Sequence, residues 1–294
     1  MQKSVAFLGL GVMGYPMAGW LSKCGYAVTV YNRTESVSQR WLSHYSGKTA
    51  ITVAEAVASA EIVFSCLGND DDVRAVVGGE AGALVAMKSG SILVDHTTTS
   101  ALLAREFAEQ AQALAIGFVD APVSGGQQGA ENGQLTVMCG GHQKHFDAAQ
   151  QAIQSYAKSL QLMGDVGSGQ LCKMVNQICI AGVIQGLAEG LNFAKRAGLD
   201  AQQVVEVISK GAAQSCQMEN RYQTMLANDY DHGFAVQWMR KDLAFALDEA
   251  KANGSDLPLT QLVDSFYAEV QEIGGNRWDT SSLLARFEHG ADKH

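Results

Sequence analysis

An α/β N-terminal domain on a doubly wound, mostly parallel sheet, followed by an all-α C-terminal domain, is the fold class this sequence predicts. Short apolar runs alternate with helical stretches up to about residue 163, the pattern of parallel strands joined by crossover helices. The first of those runs passes directly into a G-x-G-x-x-G loop. Beyond the glycine-rich run 164–169 only helical patterns follow. These observations divide the 294 residues into a first domain at 1–164 and a second at 165–294, and a chain of this length can bury two cores.

The first strand is expected at 5–8. Gly9, Gly11 and Gly14 come next, with Leu10, Val12 and Met13 between them. Glycine at those three places allows a tight turn, close approach of backbone to a pyrophosphate, and close packing of the next helix on the sheet, the Rossmann-type arrangement. The helix N-terminus adds unpaired N–H groups and partial positive charge. A second strand is expected at Ala27–Tyr31. Dinucleotide sites for NAD place an Asp or Glu about 20 residues beyond the glycines, where it binds the ribose hydroxyls. This chain has Asn32-Arg33-Thr34 there. A carboxylate would repel a 2′-phosphate, whereas Arg33 can pair with one and stack on adenine, with neutral hydrogen bonds from Asn32 and Thr34. NADP, with NADPH preferred over NADH, is the cofactor expected.

Further strands are expected at 62–66, Ile92–Asp95, 118–120 and 135–138, with helices such as 36–45 and 102–114 between them. A long apolar helix should run over 170–196 and stop near Gly198; Asp200 with Gln203 should cap the next. Two more are expected at 237–253 and 258–273. Gly182, Gly186 and Gly190 recur every four residues on the long helix, which strips one stripe of side chains and invites close helix packing between subunits. Glu189 and Lys195 argue against a membrane version of that stripe.

A net charge of −9 without a basic stripe speaks against a nucleic-acid partner. No signal-peptide pattern precedes the first strand, and no stretch of 18 uninterrupted apolar residues suggests a membrane span. The six cysteines, Cys24, Cys66, Cys139, Cys172, Cys179 and Cys216, form no C-x-x-C pair and sit in apolar runs. They read as reduced core residues of a cytoplasmic protein. Cys139, His142 and His145 lie near one another but flank Gly140-Gly141, so the histidines read as solvated and no metal is expected.

In open α/β sheets ligands bind beyond the carboxyl ends of the strands. Three stretches there are rich in polar and glycine residues: 66–69 with Leu67, 95–99 with Thr98, and 120–126 with Ser124-Gly125-Gly126. The first two suit a nicotinamide ribose, and the third suits a substrate carboxylate. In the long helix Lys173 stands between apolar neighbours, with Asn176 and Gln177 on its face at i+3 and i+4. Facing solvent, it would be an ordinary surface lysine. Facing a cleft, burial would lower its pKa and make it a competent proton donor.

Four blocks, GLGVMGYPMAGWL, DAPVSGGQQGAENGQLTVMCGG, GSGQLCKMVNQ and FAVQWMRKDL, together resemble the β-hydroxyacid dehydrogenases, the group of 3-hydroxyisobutyrate dehydrogenase, tartronate semialdehyde reductase and the glyoxylate/succinic semialdehyde reductases. The resemblance runs essentially end to end. It implies an NADP-dependent oxidoreductase interconverting a small carboxylate-bearing semialdehyde, or glyoxylate, and its hydroxyacid. It also implies Lys173 as the catalytic lysine, a substrate contact at Gln177 beside Asn176, and a carboxylate site at Ser124, Gly125 and Gly126. Thr98 and Lys241 would then touch the cofactor, and Phe234 and Asp242 would border the substrate pocket. Read alone, Lys241-Asp242 is an ordinary solvated helix pair. Trp20, Gly68, Gln177 and Thr99-Ser100 depart from the residues many members carry, which bears on substrate identity and leaves the fold unaffected. Imine reductases are a rival on the same scaffold, but they usually carry Asp or Tyr in place of Lys173. A 6-phosphogluconate dehydrogenase would need a longer helical domain. A non-catalytic cofactor-binding scaffold would be expected to lose the lysine. The partners implied are a small aldehyde or hydroxyacid and further copies of the chain, as homodimer or homotetramer.

Overall fold

The computed structural model describes residues 3–289. The chain divides into two compact units, Met1–Lys173 and Met174–His294. The first unit opens β1 (Ser4–Leu8), α1 (Gly14–Lys23), β2 (Ala27–Tyr31), α2 (Glu35–His44), β3 (Lys48–Thr49), α3 (Val53–Val57) and β4 (Ile62–Ser65). It continues through α4 (Asp70–Val77), α5 (Ala83–Ala86), β5 (Ile92–Asp95), α6 (Ala101–Ala113) and β6 (Gly117–Asp120). Then come β7 (Val123–Ser124), α7 (Gly126–Glu131), β8 (Leu135–Gly141), α8 (Gln143–Ile153) and β9 (Ala157–Gly164).

The sheet runs in the order β3-β2-β1-β4-β5-β6-β8-β7, with β9 also on β8. Strands β1 to β6 are mutually parallel. β4, β5 and β6 are buried along their whole length, as strands covered on both faces must be. β1 shows how the two faces are filled. Val5 and Phe7 point into one core with Met17, Trp41 and Tyr156, whereas Ala6 and Leu8 point into the other with Val73, Leu103 and Phe107. β8 runs antiparallel to β6 and β7. β9, absent from the sequence expectation, pairs parallel with β8, and most of its residues are exposed, so its apolar signal is thin.

α9 (Ser168–Arg196) begins in the first unit and continues into the second. It stops before Gly198, whose φ of +76° is the left-handed conformation that suits glycine. α10 (Ala201–Ile208) is capped by Asp200, whose side chain accepts from the N–H groups of Gln202 and Gln203. α11 (Cys216–Leu226), α12 (Val236–Asn253), α13 (Pro258–Glu272), two short 3₁₀ turns and α14 (Arg286–His289) complete the unit. Among the described residues α9 alone is long and apolar enough, at mean hydropathy 1.4, to cross a membrane by length and composition. Its Ala181, Ile184, Leu187, Ala188 and Leu191 go into a core shared with Met239, Leu243, Val263 and Tyr267.

One expectation needs correction. All six cysteines are free, but Cys24, Cys179 and Cys216 are exposed and only Cys139 is fully buried. Cys179 falls on the outward face of α9, whereas Cys24 caps the C-terminus of α1 and Cys216 opens α11 in a polar run. The glycine stripe is closed within the chain only at Gly182. A Cβ on Gly182 would touch Leu259 at 3.3 Å, whereas one on Gly186 or Gly190 would meet nothing within 4 Å.

Candidate active site

The glycine loop is held from three sides. Gly9 has φ +95°, and a Cβ there would strike the Cys66 carbonyl; a Cβ on Gly14 would strike the carbonyl of Gly9. Gly11 differs, since a Cβ there would meet no atom of the chain within 4 Å. The Leu10 N–H donates to Asn32 Oδ1 at 3.0 Å, and Asn32 Nδ2 donates to the Thr34 carbonyl at 3.1 Å. Asn32 therefore ties the glycine loop to the turn after β2. Val12 is exposed and Met13 packs partly on the core. The Arg33 side chain is 91% exposed, and its Nη1 lies 3.9 Å from Asp72 Oδ1 in the first turn of α4.

At the carboxyl ends of β4, β5 and β6 a buried polar row crosses the sheet, because Ser65, Asp95 and Asp120 are register neighbours. Asp95 Oδ1 accepts from Ser65 Oγ at 2.8 Å and from the Thr97 N–H at 3.0 Å. Burial pushes its carboxyl up to about 6 despite those bonds. Asp120 is raised by burial and pulled back by N–H groups of Gly167 and Gln170, at 2.8 and 3.0 Å. Burial pushes His96 down to about 4; its Nδ1 lies 2.6 Å from the Ala121 carbonyl and its Nε2 2.8 Å from the Tyr156 hydroxyl. The Leu67 N–H donates to Thr97 Oγ1 at 2.9 Å, and Ser100 binds Asp70 through its N–H and its hydroxyl. The two loops expected to line a nicotinamide ribose are thus tied together, with Thr98 between the bonded residues.

Ser124 ends β7, and Gly125 and Gly126 follow with φ +135° and +61°, a turn that side-chain-bearing residues rarely adopt. Trp20 has a structural role nearby, since its Nε1 donates to the Ala130 carbonyl of α7 at 3.1 Å. Lys173 is 7% exposed in the second turn of α9. On the next turn Asn176 Nδ2 donates to Gln177 Oε1 at 2.8 Å, and Gln177 Nε2 donates to Asp242 Oδ2 at 2.7 Å. Lys241 Nζ lies 3.2 Å from Asp242 Oδ1 and within 6 Å of the Trp238 and Phe245 ring centroids, at 5.7 and 5.6 Å. The solvated reading of Lys241-Asp242 is therefore corrected: Asp242 is buried, its charge is met by Lys241, and α12 turns both residues inward. Phe234 is half-buried, its N–H fixed to the buried Asp279 at 2.9 Å, and Asp279 in turn pairs with Arg221 Nε at 3.1 Å. His142 is exposed and caps α8, and no metal-binding group of three or more His, Cys, Asp or Glu residues occurs among the described residues.

Sequence reasoning placed Asp95 and His96 in a candidate loop but did not anticipate their burial, and it did not single out Gln170 or Asp279. The bonds from Asp95 to Ser65, from His96 to Tyr156, from Gln170 to Thr97 and from Asp279 to Arg221 span 30 to 73 residues, which no local pattern marks.

Residues 4–164 match the family described as the NAD binding domain of 6-phosphogluconate dehydrogenase. Residues 167–287 match the one described as NAD-binding of NADP-dependent 3-hydroxyisobutyrate dehydrogenase. An uncharacterized oxidoreductase of Shewanella frigidimarina (strain NCIMB 400) is 64% identical over 284 residues, 97% of this chain and 98% of its own. The 2-hydroxy-3-oxopropionate reductase of Escherichia coli (strain K12) is 33% identical over 285 residues, 97% of each chain. The solved structure of 3-hydroxyisobutyrate dehydrogenase from Mycobacterium tuberculosis with L-serine matches at TM-score 0.87 and 28% identity, covering 98% of this chain and 99% of that one. Two family matches that together span the chain, a relative at 64% identity, and a glycine loop shaped for a dinucleotide agree, and the chain belongs to the 3-hydroxyisobutyrate dehydrogenase family of NAD(P)-dependent hydroxyacid dehydrogenases and semialdehyde reductases.

Proposed function

We propose that this oxidoreductase reduces a small carboxylate-bearing semialdehyde, or glyoxylate, to its hydroxyacid with NADPH, and that Lys173 is the general acid. The observation that carries the reading is a buried lysine one helical turn from the interlocked amides of Asn176 and Gln177. Gly9, Leu10, Gly11, Val12, Met13 and Gly14 would hold the pyrophosphate. Gly11 fits this because nothing in the chain itself excludes a side chain there, and glycine leaves that space to a ligand. Leu67, Thr98 and Lys241 would meet the rest of the cofactor. Bound NADPH supplies a hydride to the carbonyl carbon. Lys173, as the ammonium, donates a proton to the carbonyl oxygen; in the reverse direction neutral Lys173 accepts the hydroxyl proton. Such assistance is typically worth about 10²- to 10⁴-fold. Ser124, Gly125 and Gly126 would bind the substrate carboxylate. Asp242 orients the Gln177 amide, and Phe234 would offer the substrate an apolar neighbour.

NADPH is favoured over NADH because Arg33 is exposed and Asn32 is neutral. The same reading makes the enzyme a cytoplasmic homodimer or homotetramer. Val175, Cys179, Val183 and Phe193 fall with Gly186 and Gly190 on one outward stripe of α9, Phe193 at 71% exposure, and Leu259 and Leu262 of α13 are also exposed. A second copy covering that stripe would remove apolar surface from water.

The test is NADPH oxidation with glyoxylate, succinic semialdehyde, tartronate semialdehyde and methylmalonate semialdehyde, with the matching hydroxyacids assayed in reverse. One or more should turn over, and Lys173→Ala should lower that turnover by at least about two orders of magnitude with little change in NADPH binding. A Lys173→Ala enzyme keeping a third of wild-type turnover would remove the lysine from the mechanism.

A further inference from the structure

Gln170 is fully buried, and both ends of its amide are engaged. Oε1 accepts from the Thr99 N–H at 3.1 Å, and Nε2 donates to the Thr97 carbonyl at 2.8 Å, so the two bonds bracket Thr98. Its own N–H donates to Asp120 Oδ2 at 3.0 Å, beside the Gly167 N–H on Oδ1 at 2.8 Å. Two glycines admit this contact: a Cβ on Gly140 would stand 2.5 Å from Asp120 Oδ1, and one on Gly169 would stand 2.8 Å from Oδ2. The first turn of α9 is thereby fastened to β6 through its backbone and to the Thr98 loop through one side chain. Lys173 lies three residues on, on the same helix face, across a stiff rise of about 4.5 Å.

We propose that Gln170 is the positioning residue that holds the Lys173 turn in register with the Thr98 loop. The inference rests on the reading above, in which Lys173 donates the proton and Thr98 touches the cofactor. Hydride and proton must reach two bonded atoms of one carbonyl, and a displacement on the order of 1 Å costs about 10²-fold. An amide suits the task because it offers one acceptor and one donor at a fixed separation. Methionine has nearly the same shape and serves neither partner. Glutamate keeps the acceptor for Thr99 but, when ionised, repels the Thr97 carbonyl; protonated, it can donate to that carbonyl again.

The experiment measures kcat, KM for the aldehyde and the NADPH dissociation constant in wild type, Gln170→Met, Gln170→Glu, Lys173→Met and the Gln170→Met/Lys173→Met double variant. Gln170→Met should lose about ten- to a hundredfold in kcat, with KM and NADPH binding within about threefold. The double variant should be no slower than Lys173→Met alone, since Gln170 acts only through the lysine. Gln170→Glu should recover toward the wild-type rate as pH falls from about 8.5 to about 6, because its buried carboxyl takes up a proton in that range. If Lys173→Met keeps a third or more of wild-type turnover, the general-acid reading falls and this proposal falls with it. If Lys173→Met is inactive while Gln170→Met keeps its kcat, the proposal alone is overturned. A Gln170→Met loss that adds in full to that of Lys173→Met, together with no pH recovery in Gln170→Glu, overturns it too and leaves Gln170 a merely structural residue.

Discussion

Arg33 does not stand in a neutral setting. Asp72 lies 3.9 Å from it and would compete with a 2′-phosphate for the same guanidinium. Exposed pairs of this kind are worth roughly 0 to 1 kcal/mol, so Asp72→Asn should tighten NADPH by up to about fivefold and leave NADH unchanged. Equal tightening of both cofactors would show that Asp72 acts elsewhere. Wild type should prefer NADPH by about ten- to a hundredfold in kcat/KM, on the roughly 1.5 to 3 kcal/mol of a charged hydrogen bond. Asn32→Asp with Arg33→Ala should reverse the order. The aspartate can still accept the Leu10 N–H, so the loop stays anchored while the ribose gains an acceptor. A wild type that already prefers NADH would refute the role of Arg33. At this scale the glycine loop was legible because Gly9 and Gly14 answer to nearby backbone, and backbone demands show in sequence. The bonds that Asp120 and Gln170 make were not, because their partners lie 47 to 73 residues away.

Among the elements, the ends of β5 and β6 carry an unusual concentration of buried ionisable groups. Asp95 is pushed up from 3.8 to about 6 by burial, so within that window the folded chain keeps a proton the unfolded chain has released, and stability falls as pH rises through it. His96 is pushed down from 6.5 to about 4, so the unfolded chain holds the extra proton and stability is lost as pH falls through that window. The two slopes oppose each other, and burial raises Asp120 in the same sense as Asp95. Asp95→Asn should unmask the histidine, so that stability relative to wild type climbs by about 2 to 3 kcal/mol between about pH 4 and 6. Urea midpoints that run parallel in variant and wild type would refute the opposition. The strands carrying these groups were legible as short apolar runs, whereas the two-residue β3 and β7 and the largely exposed β9 were not. The boundaries of α12 and α13 followed from periodicity and Pro258, but periodicity does not tell which face of a helix meets water, which is why Cys179 and the Lys241-Asp242 pair were misplaced.

For the molecule as a whole, the outward stripe of α9 makes association the expected state. Replacing Phe193 and Val183 with lysine should halve the mass seen by light scattering at micromolar concentration or lower, and a mass already monomeric in wild type would end the idea. The buried carboxylate of Asp120 has one more consequence, for where this chain can be cut. Composition changes at 164, and a fragment ending there looks like a natural nucleotide-binding module. It would lose the N–H groups of Gly167 and Gln170, leaving a buried charge without its donors, a loss of the kind that costs several kcal/mol. A fragment ending near 175 keeps the stub of α9 and those donors. The longer fragment should melt well above the shorter one, and equal melting temperatures would show that the stub is dispensable. On the first outcome the seam between the two modules would lie a turn and a half inside a helix, between Lys173 and Met174, rather than at the glycine-rich turn, and an exchange of helical units between relatives should keep the recipient's own first six residues of α9.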